Sequence, residues 1–298
     1  MTINANDVMK LRNSTGAGMM DCKNALEEAG GDMDKAADLL RKKGIVKAAK
    51  RADKVAAEGL VTSVVSADGK TGVLVEVNCE TDFVAGGDDF KAFSKEVADA
   101  IVKNNPKDIA ALMDVVVTGR DLSLPNGGTV GETIVNLTLK IGEKISVRRF
   151  TRYESALGKV YSYLHGSKIG VLLEMTGGDQ ELGTDVAMHV AASNPKALDR
   201  SGVDAGLVAS ERDVYAAQLK SQGKPENIIE NILKGKMDKF YSESTLLEQA
   251  FIKNEDMKVG DLAKSKGATI VRFVRYELGE GIEKVTKDFA AEVAEQIK

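Results

Sequence analysis

Tryptophan is absent from this 298-residue chain, aromatic residues make up 5% of it, and it holds two cysteines, two histidines and four prolines. The scarcity of cysteine and of histidine each narrows the possible functions. Cys22 and Cys79 lie far apart and form no CxxC pattern, so two free thiols in a reducing compartment are the simplest reading. With His165 and His189 as the only histidines, a zinc site is not expected. There is no cationic excess either. The formal net charge is -4, which argues against a broad nucleic-acid surface, because phosphate binding needs clustered positive charge. No apolar run is long enough to span a bilayer, and Met1 to Asn6 lack the basic segment and apolar run of a signal peptide. A cytoplasmic location and a protein partner are therefore expected, without direct contact to nucleic acid or membrane.

What is present is an ordered alternation of helical and strand patterns. Residues 1–45 read as three short helices: Val8 and Leu11, with Met9 as a weaker third member, give the first an apolar side, Met19 to Ala29 form the second, and Asp32 caps the third. Met33, Ala36, Ala37 and Leu40 repeat along that third helix at helical spacing, and Gly44 is the expected stop. Residues 46–57 form a basic, alanine-rich connector.

Beyond it lies an internal repeat. Gly59-Leu60-Val61-Thr62-Ser63 and Lys70-Thr71-Gly72-Val73-Leu74-Val75-Glu76 are echoed by Gly158-Lys159-Val160-Tyr161-Ser162 and Lys168-Ile169-Gly170-Val171-Leu172-Leu173-Glu174. Arg149-Phe150-Thr151-Arg152-Tyr153-Glu154 then matches Arg272-Phe273-Val274-Arg275-Tyr276-Glu277. Each copy reads as a β-hairpin, helices and a closing strand. The expected class is α+β: a three-helix module, then a duplicated core of two small antiparallel sheets backed by helices, 58–155 and 156–280. The second copy carries an inserted helical hairpin at about 207–241, and residues 281–298 form a C-terminal helical module.

One stretch resists a purely structural reading. Asn78-Cys79-Glu80-Thr81-Asp82-Phe83-Val84 places a large ring in a polar connection bordered by Gly86 and Gly87, off the helical stripe of Phe90, Phe93, Val97 and Ile101 that Asp88 or Asp89 is placed to cap. The ring either plugs the end of the sheet or is exposed for binding. The repeat supplies a control, because the matching connection, Met175-Thr176-Gly177-Gly178-Asp179-Gln180, has no aromatic. The architecture does not demand a ring, so a binding role is favoured.

These motifs resemble the translation elongation factor Ts family, whose members exchange guanine nucleotide on elongation factor Tu. The resemblance spans the chain through Leu11-Arg12, Thr15 to Lys23, Asn78 to Ala85, Ala187 to Ala192 and Gly279 to Lys284. It implies a module similar to a ubiquitin-associated (UBA) domain, with Arg12, Met19 and Met20 against the partner's GTPase domain. It further implies an intruding loop at Thr81, Asp82, Phe83 and Val84, and contacts at Ile141, Gly142, His165 and Ile252. Lys253 departs from the family's apolar preference. Neighbouring helical residues cannot both face inward, so at least one of Met19 and Met20 should be exposed. The resemblance implies no cofactor, a partner bound both in its GDP form and free of nucleotide, and no catalysis by the chain itself. Homodimerisation through the second half of the core stays open. The competing reading is a UBA-type adaptor without exchange activity. An enzyme has little support, as GxxxxGK[ST], GxSxG and HExxH motifs are all absent.

Overall fold

The computed structural model of the chain describes residues 3–117 and 128–283. Three helices come first: α1 (Ala5–Thr15), α2 (Met19–Glu28) and α3 (Met33–Lys50). The first half of the core contains β1 (Glu58–Val65), β2 (Thr71–Cys79), α4 (Asp82–Gly86), α5 (Asp88–Asn104) and α6 (Ile109–Met113). It continues through the short pair β3 (Val116–Val117) and β4 (Gly128–Thr129), then α7 (Val130–Ile141) and β5 (Ser146–Glu154). The second half contains β6 (Lys159–His165), β7 (Ile169–Thr176), α8 (Gln180–Ser193), α9 (Ala205–Ser221) and α10 (Glu226–Ser244). A small pair, β8 (Ala250–Phe251) and β9 (Asn254–Lys258), precedes α11 (Val259–Ser265) and β10 (Thr269–Glu277). The expected C-terminal helix, Ile282 to Ile297, lies almost wholly outside the described residues.

Val8, Leu11, Ala17, Cys22, Ala25, Leu26, Ala36 and Leu40 form the core of the three-helix unit, which Leu139 of α7 completes. The sequence reading stops α3 at Gly44, but the helix runs on to Lys50. Gly44 lies where α3 crosses α7: a Cβ there would sit 3.1 Å from Val135 Cγ1 and 3.5 Å from Leu139 Cβ. Close helix packing thus outweighs the roughly 1 kcal/mol cost of a mid-helix glycine.

Both sheets are antiparallel and three-stranded, in the orders β1-β2-β5 and β6-β7-β10. The central strands are buried on both faces. On β2, Val73, Val75, Val77 and Cys79 alternate onto the face covered by Phe90, Phe93, Val97 and Ile101 of α5. The expected aspartate cap of α5 is replaced by Gly87 backbone, with Asp88 and Asp89 in the first turn.

The opposite faces join the halves. Val61, Leu74 and Tyr153 meet Val160, Leu172 and Tyr276, the same three positions of the repeat, in one cluster. Glycine permits this approach: a Cβ on Gly72 would lie 2.4 Å from Val160 Cγ1, and one on Gly170 would lie 2.6 Å from Val61 Cγ1. The polar contacts are reciprocal too. Arg149 lies 4.2 Å over the Tyr276 ring and donates to Glu277 O, while Arg272 lies 4.1 Å over Tyr153 and donates to Glu154 O. The helical hairpin is closed by its own contacts, with Tyr215, Ala216 and Leu219 of α9 packed on Ile229, Ile232, Leu233 and Met237 of α10.

Candidate functional site

The stretch after β2 is a single helical turn rather than an open loop. Thr81 caps α4 by accepting the Val84 N–H, Ala85 is buried, Val84 is half-buried, and Phe83 is left 88% exposed. The ring therefore plugs nothing in the free chain. Cys79 ends the strand beneath it and donates its thiol to Thr81 O at 3.1 Å. Burial, with the nearby Glu143 carboxylate, pushes that thiol up to about 12, so it is a structural thiol and not a nucleophile.

Two carboxylates hold the base of the turn. Glu143 Oε2 accepts the N–H groups of Glu80 and Thr81 at 3.1 and 2.9 Å, and its Oε1 accepts the Thr81 hydroxyl at 2.7 Å. Glu80 accepts the Lys144 N–H at 2.6 Å and both of its oxygens bind the Arg51 guanidinium, at 2.7 and 2.9 Å. Lys144 Nζ reaches the carbonyls of Ala52 and Lys54. The end of α3, the turn after β2 and the segment after α7 are thereby tied together.

Ile141 and Gly142 enter this assembly through their neighbour Glu143. Ile141 packs on the first-half core, and Gly142 ends α7 with φ 88, a backbone that suits glycine. The other candidates sit on separate elements. Arg12 is exposed on α1, and Met19 and Met20 are both exposed, 40% and 63%, on the first turn of α2. Met9, which its register with Val8 and Leu11 groups with the apolar side of α1, is 49% exposed instead, because that side is formed by Val8 and Leu11 alone.

In the second half, His165 is the last residue of β6, exposed, with its ring stacked on Tyr163 at 6.5 Å. Ile252 is 43% exposed in the turn between β8 and β9, and its N–H donates to His189 Nδ1 at 3.2 Å. His189 is fully buried, and its Nε2 lies 2.9 Å from Gln249 Oε1. These partners place the ring proton on Nε2. Burial lowers its pKa despite the Gln249 contact, so His189 is a neutral strut for the Ile252 turn. Beside it, Lys253 pairs with Asp185 at 2.7 Å. The Glu80, Glu143 and Arg51 ties escaped sequence reasoning because they join segments about sixty or thirty positions apart with no local pattern.

Among the described residues, no helix is long and apolar enough to cross a membrane, and no three or more His, Cys, Asp or Glu side chains are grouped to hold a metal ion. The family model described as Elongation factor TS matches residues 80–280. The chain is 48% identical to the elongation factor Ts of Methylococcus capsulatus over 298 residues, covering all of this chain and 99% of that protein. It is 47% identical, with the same coverage, to that of Alkalilimnicola ehrlichii. It is also 47% identical to that of Pseudomonas aeruginosa, over 99% of this chain and 97% of the relative. Since the matched region runs from the base of the exposed turn through both closing strands, and the relatives align end to end, the chain belongs to the elongation factor Ts family.

Proposed function

We propose that this chain is the guanine-nucleotide exchange factor of elongation factor Tu in translation elongation, and that it acts by binding rather than by catalysing a chemical step. The observation that carries the mechanism is the Phe83 ring, 88% exposed on a turn that is fixed at its base. Such a ring has its apolar area available, and burial in a partner would release about 2 kcal/mol. Inserted beside the magnesium and phosphate side of the partner's nucleotide pocket, with Asp82 orienting it, the ring displaces the elements that support the ion and the GDP phosphates. GDP then dissociates. Because coupling between sites is reciprocal, rebinding of nucleotide weakens the hold of the exchange factor, and the pair cycles.

In this reading Arg12, Met19 and Met20 hold the partner's GTPase domain from the N-terminal helices. Thr81, Val84, Ile141 and Gly142 line the region of the wedge, and His165 and Ile252 add contacts from the second half. The two methionines suit such a surface because their flexible thioethers adapt to a partner. The docking module, expected at residues 1–45, extends with α3 to Lys50 and leaves 51–57 of the expected 46–57 connector, while 58–155 and 156–280 serve as the halves of the core. Deleting residues 1–50, the three helices to the end of α3, should weaken partner binding while the remainder keeps a cooperative thermal transition; loss of that transition would make the helices part of the core.

The direct test loads elongation factor Tu with fluorescent GDP and follows its release into excess unlabelled GDP. Fast release with this protein and slow release with its Phe83→Ala variant are expected. No acceleration by the folded wild type would remove the exchange assignment.

A further inference from the structure

We propose that Glu143 is a positioning residue for exchange, fixing the angle at which Phe83 is presented; the inference rests on the wedge reading above. Isolated helices as short as α4 do not hold their shape in water, so its conformation must be imposed from outside. The N-terminal end of α4 is where that happens. Three donors converge on the Glu143 carboxylate: the Glu80 N–H, the Thr81 N–H and the Thr81 hydroxyl. By accepting the hydroxyl's hydrogen bond, Glu143 turns a lone pair of Thr81 Oγ1 toward the Val84 N–H at 3.4 Å, the contact that caps the turn. The carboxylate therefore sets both the backbone entering α4 and its cap.

The hold is mutual. Glu143 accepts the N–H of Glu80, and Glu80 accepts the N–H of Lys144, so two neighbouring segments clasp each other through exchanged side chains. Glu143 is itself placed rigidly. It follows the left-handed Gly142 that ends α7, and Ile141 anchors that helix end in the core. The pairing of Val77 with Val147 and of Asn78 with Ser146 holds β2 to β5 independently of the clasp. Loss of the carboxylate should thus misplace the ring without separating the strands.

The test measures GDP release from elongation factor Tu against exchange-factor concentration, using full-length wild type, Glu143→Ala, Glu143→Gln, Phe83→Ala and the double variant Glu143→Ala/Phe83→Ala. Glu143→Ala should lower the maximal release rate on the order of tenfold, a loss typical of a misplaced reacting group, while the half-saturating concentration moves far less. Glu143→Gln should restore most of the rate, since its amide oxygen can still accept both backbone N–H groups. The double variant should be no slower than Phe83→Ala alone, because a residue acting only through the ring has nothing left to act on. A Glu143→Ala rate equal to wild type, or a full further loss in the double variant, would overturn the role of Glu143. A normal rate for Phe83→Ala would overturn the wedge reading and this inference with it. Should Glu143→Ala fail to fold, Glu143→Asp replaces it in the same comparison: a loss absent from the Phe83→Ala background supports the proposal, and an additive loss or none overturns it.

Discussion

In the first half of the core, Glu76 lies fully buried and receives Arg148, Arg149, the Gly279 N–H and the Asn78 amide. Its counterpart Glu174 is 7% exposed and pairs with Arg272. The difference begins in the backbone. Both closing strands shift register at the same place, and the extra residue is Arg148 in one half and Val271 in the other. One bulge turns a second guanidinium inward, and the other presents an exposed valine. A second difference lies after the central strands. The first half sends out α4 with Phe83, whereas Gly177 and Gly178 take left-handed backbone, and a Cβ on Gly177 would meet Gly267 O at 2.2 Å. The shared plan is thus strict in the apolar and aromatic contacts of the joint and free at the bulges and connections, where chemistry can be added without repacking a sheet.

Removing the two glutamates gives the largest expected effects and sharpens the first difference. Glu76→Ala should cost about 3 kcal/mol in denaturant unfolding, the low end for breaking a buried pair because its arginines are partly exposed. Glu174→Ala, opposite one half-exposed arginine, should cost about 1 kcal/mol. Equal losses would show that the bulged Arg148 adds nothing. Next comes Phe83→Ala: exchange should fall roughly thirtyfold, the worth of about 2 kcal/mol of buried ring, while unfolding stability stays within about 0.5 kcal/mol of wild type. Strong destabilisation with unchanged exchange would return the ring to a packing role and erase the second difference.

The smallest effects concern acidity, and they separate the halves by pH. Burial would raise the Glu76 pKa, but the Gly279 N–H, Arg149 and Asn78 outweigh it and hold the carboxyl below its ordinary 4.5. Its contribution is therefore complete above pH 4.5 and disappears as pH falls through the lowered value. His189 is held neutral below its ordinary 6.5, so the unfolded chain takes up the proton first and stability declines as pH drops beneath 6.5. Urea midpoints across this range should fall in two stages. Glu76→Gln should flatten the lower stage and His189→Gln the upper; a variant that leaves its stage unchanged would remove that assignment.

Much of this was legible in the sequence because the repeat writes its hairpins and closing strands in the same residues twice. The second copy also provides a control, since its missing aromatic points to an exposed Phe83. Other features were hidden for definite reasons. Gly44 reads as a stop by propensity, and only the crossing of α3 over α7 overrides it. The α4 turn is too short to display helical periodicity. The Glu143 clasp joins residues 62 and 63 positions apart, and the bulges at Arg148 and Val271 exist only in the pairing of strands.

The reciprocal joint makes the core a dimer within one chain. Arg149 serves Tyr276 while Arg272 serves Tyr153, and Gly72 admits Val160 while Gly170 admits Val61. This is the bonding of a two-fold dimer written into a single gene, where each copy keeps the contact its twin requires. On β2, Gly72 at one end faces the twin and Cys79 at the other leads into α4 and its exposed Phe83. The joint fixes one end of each copy and leaves the far end unconstrained, so the two connections can differ while the sheets stay matched.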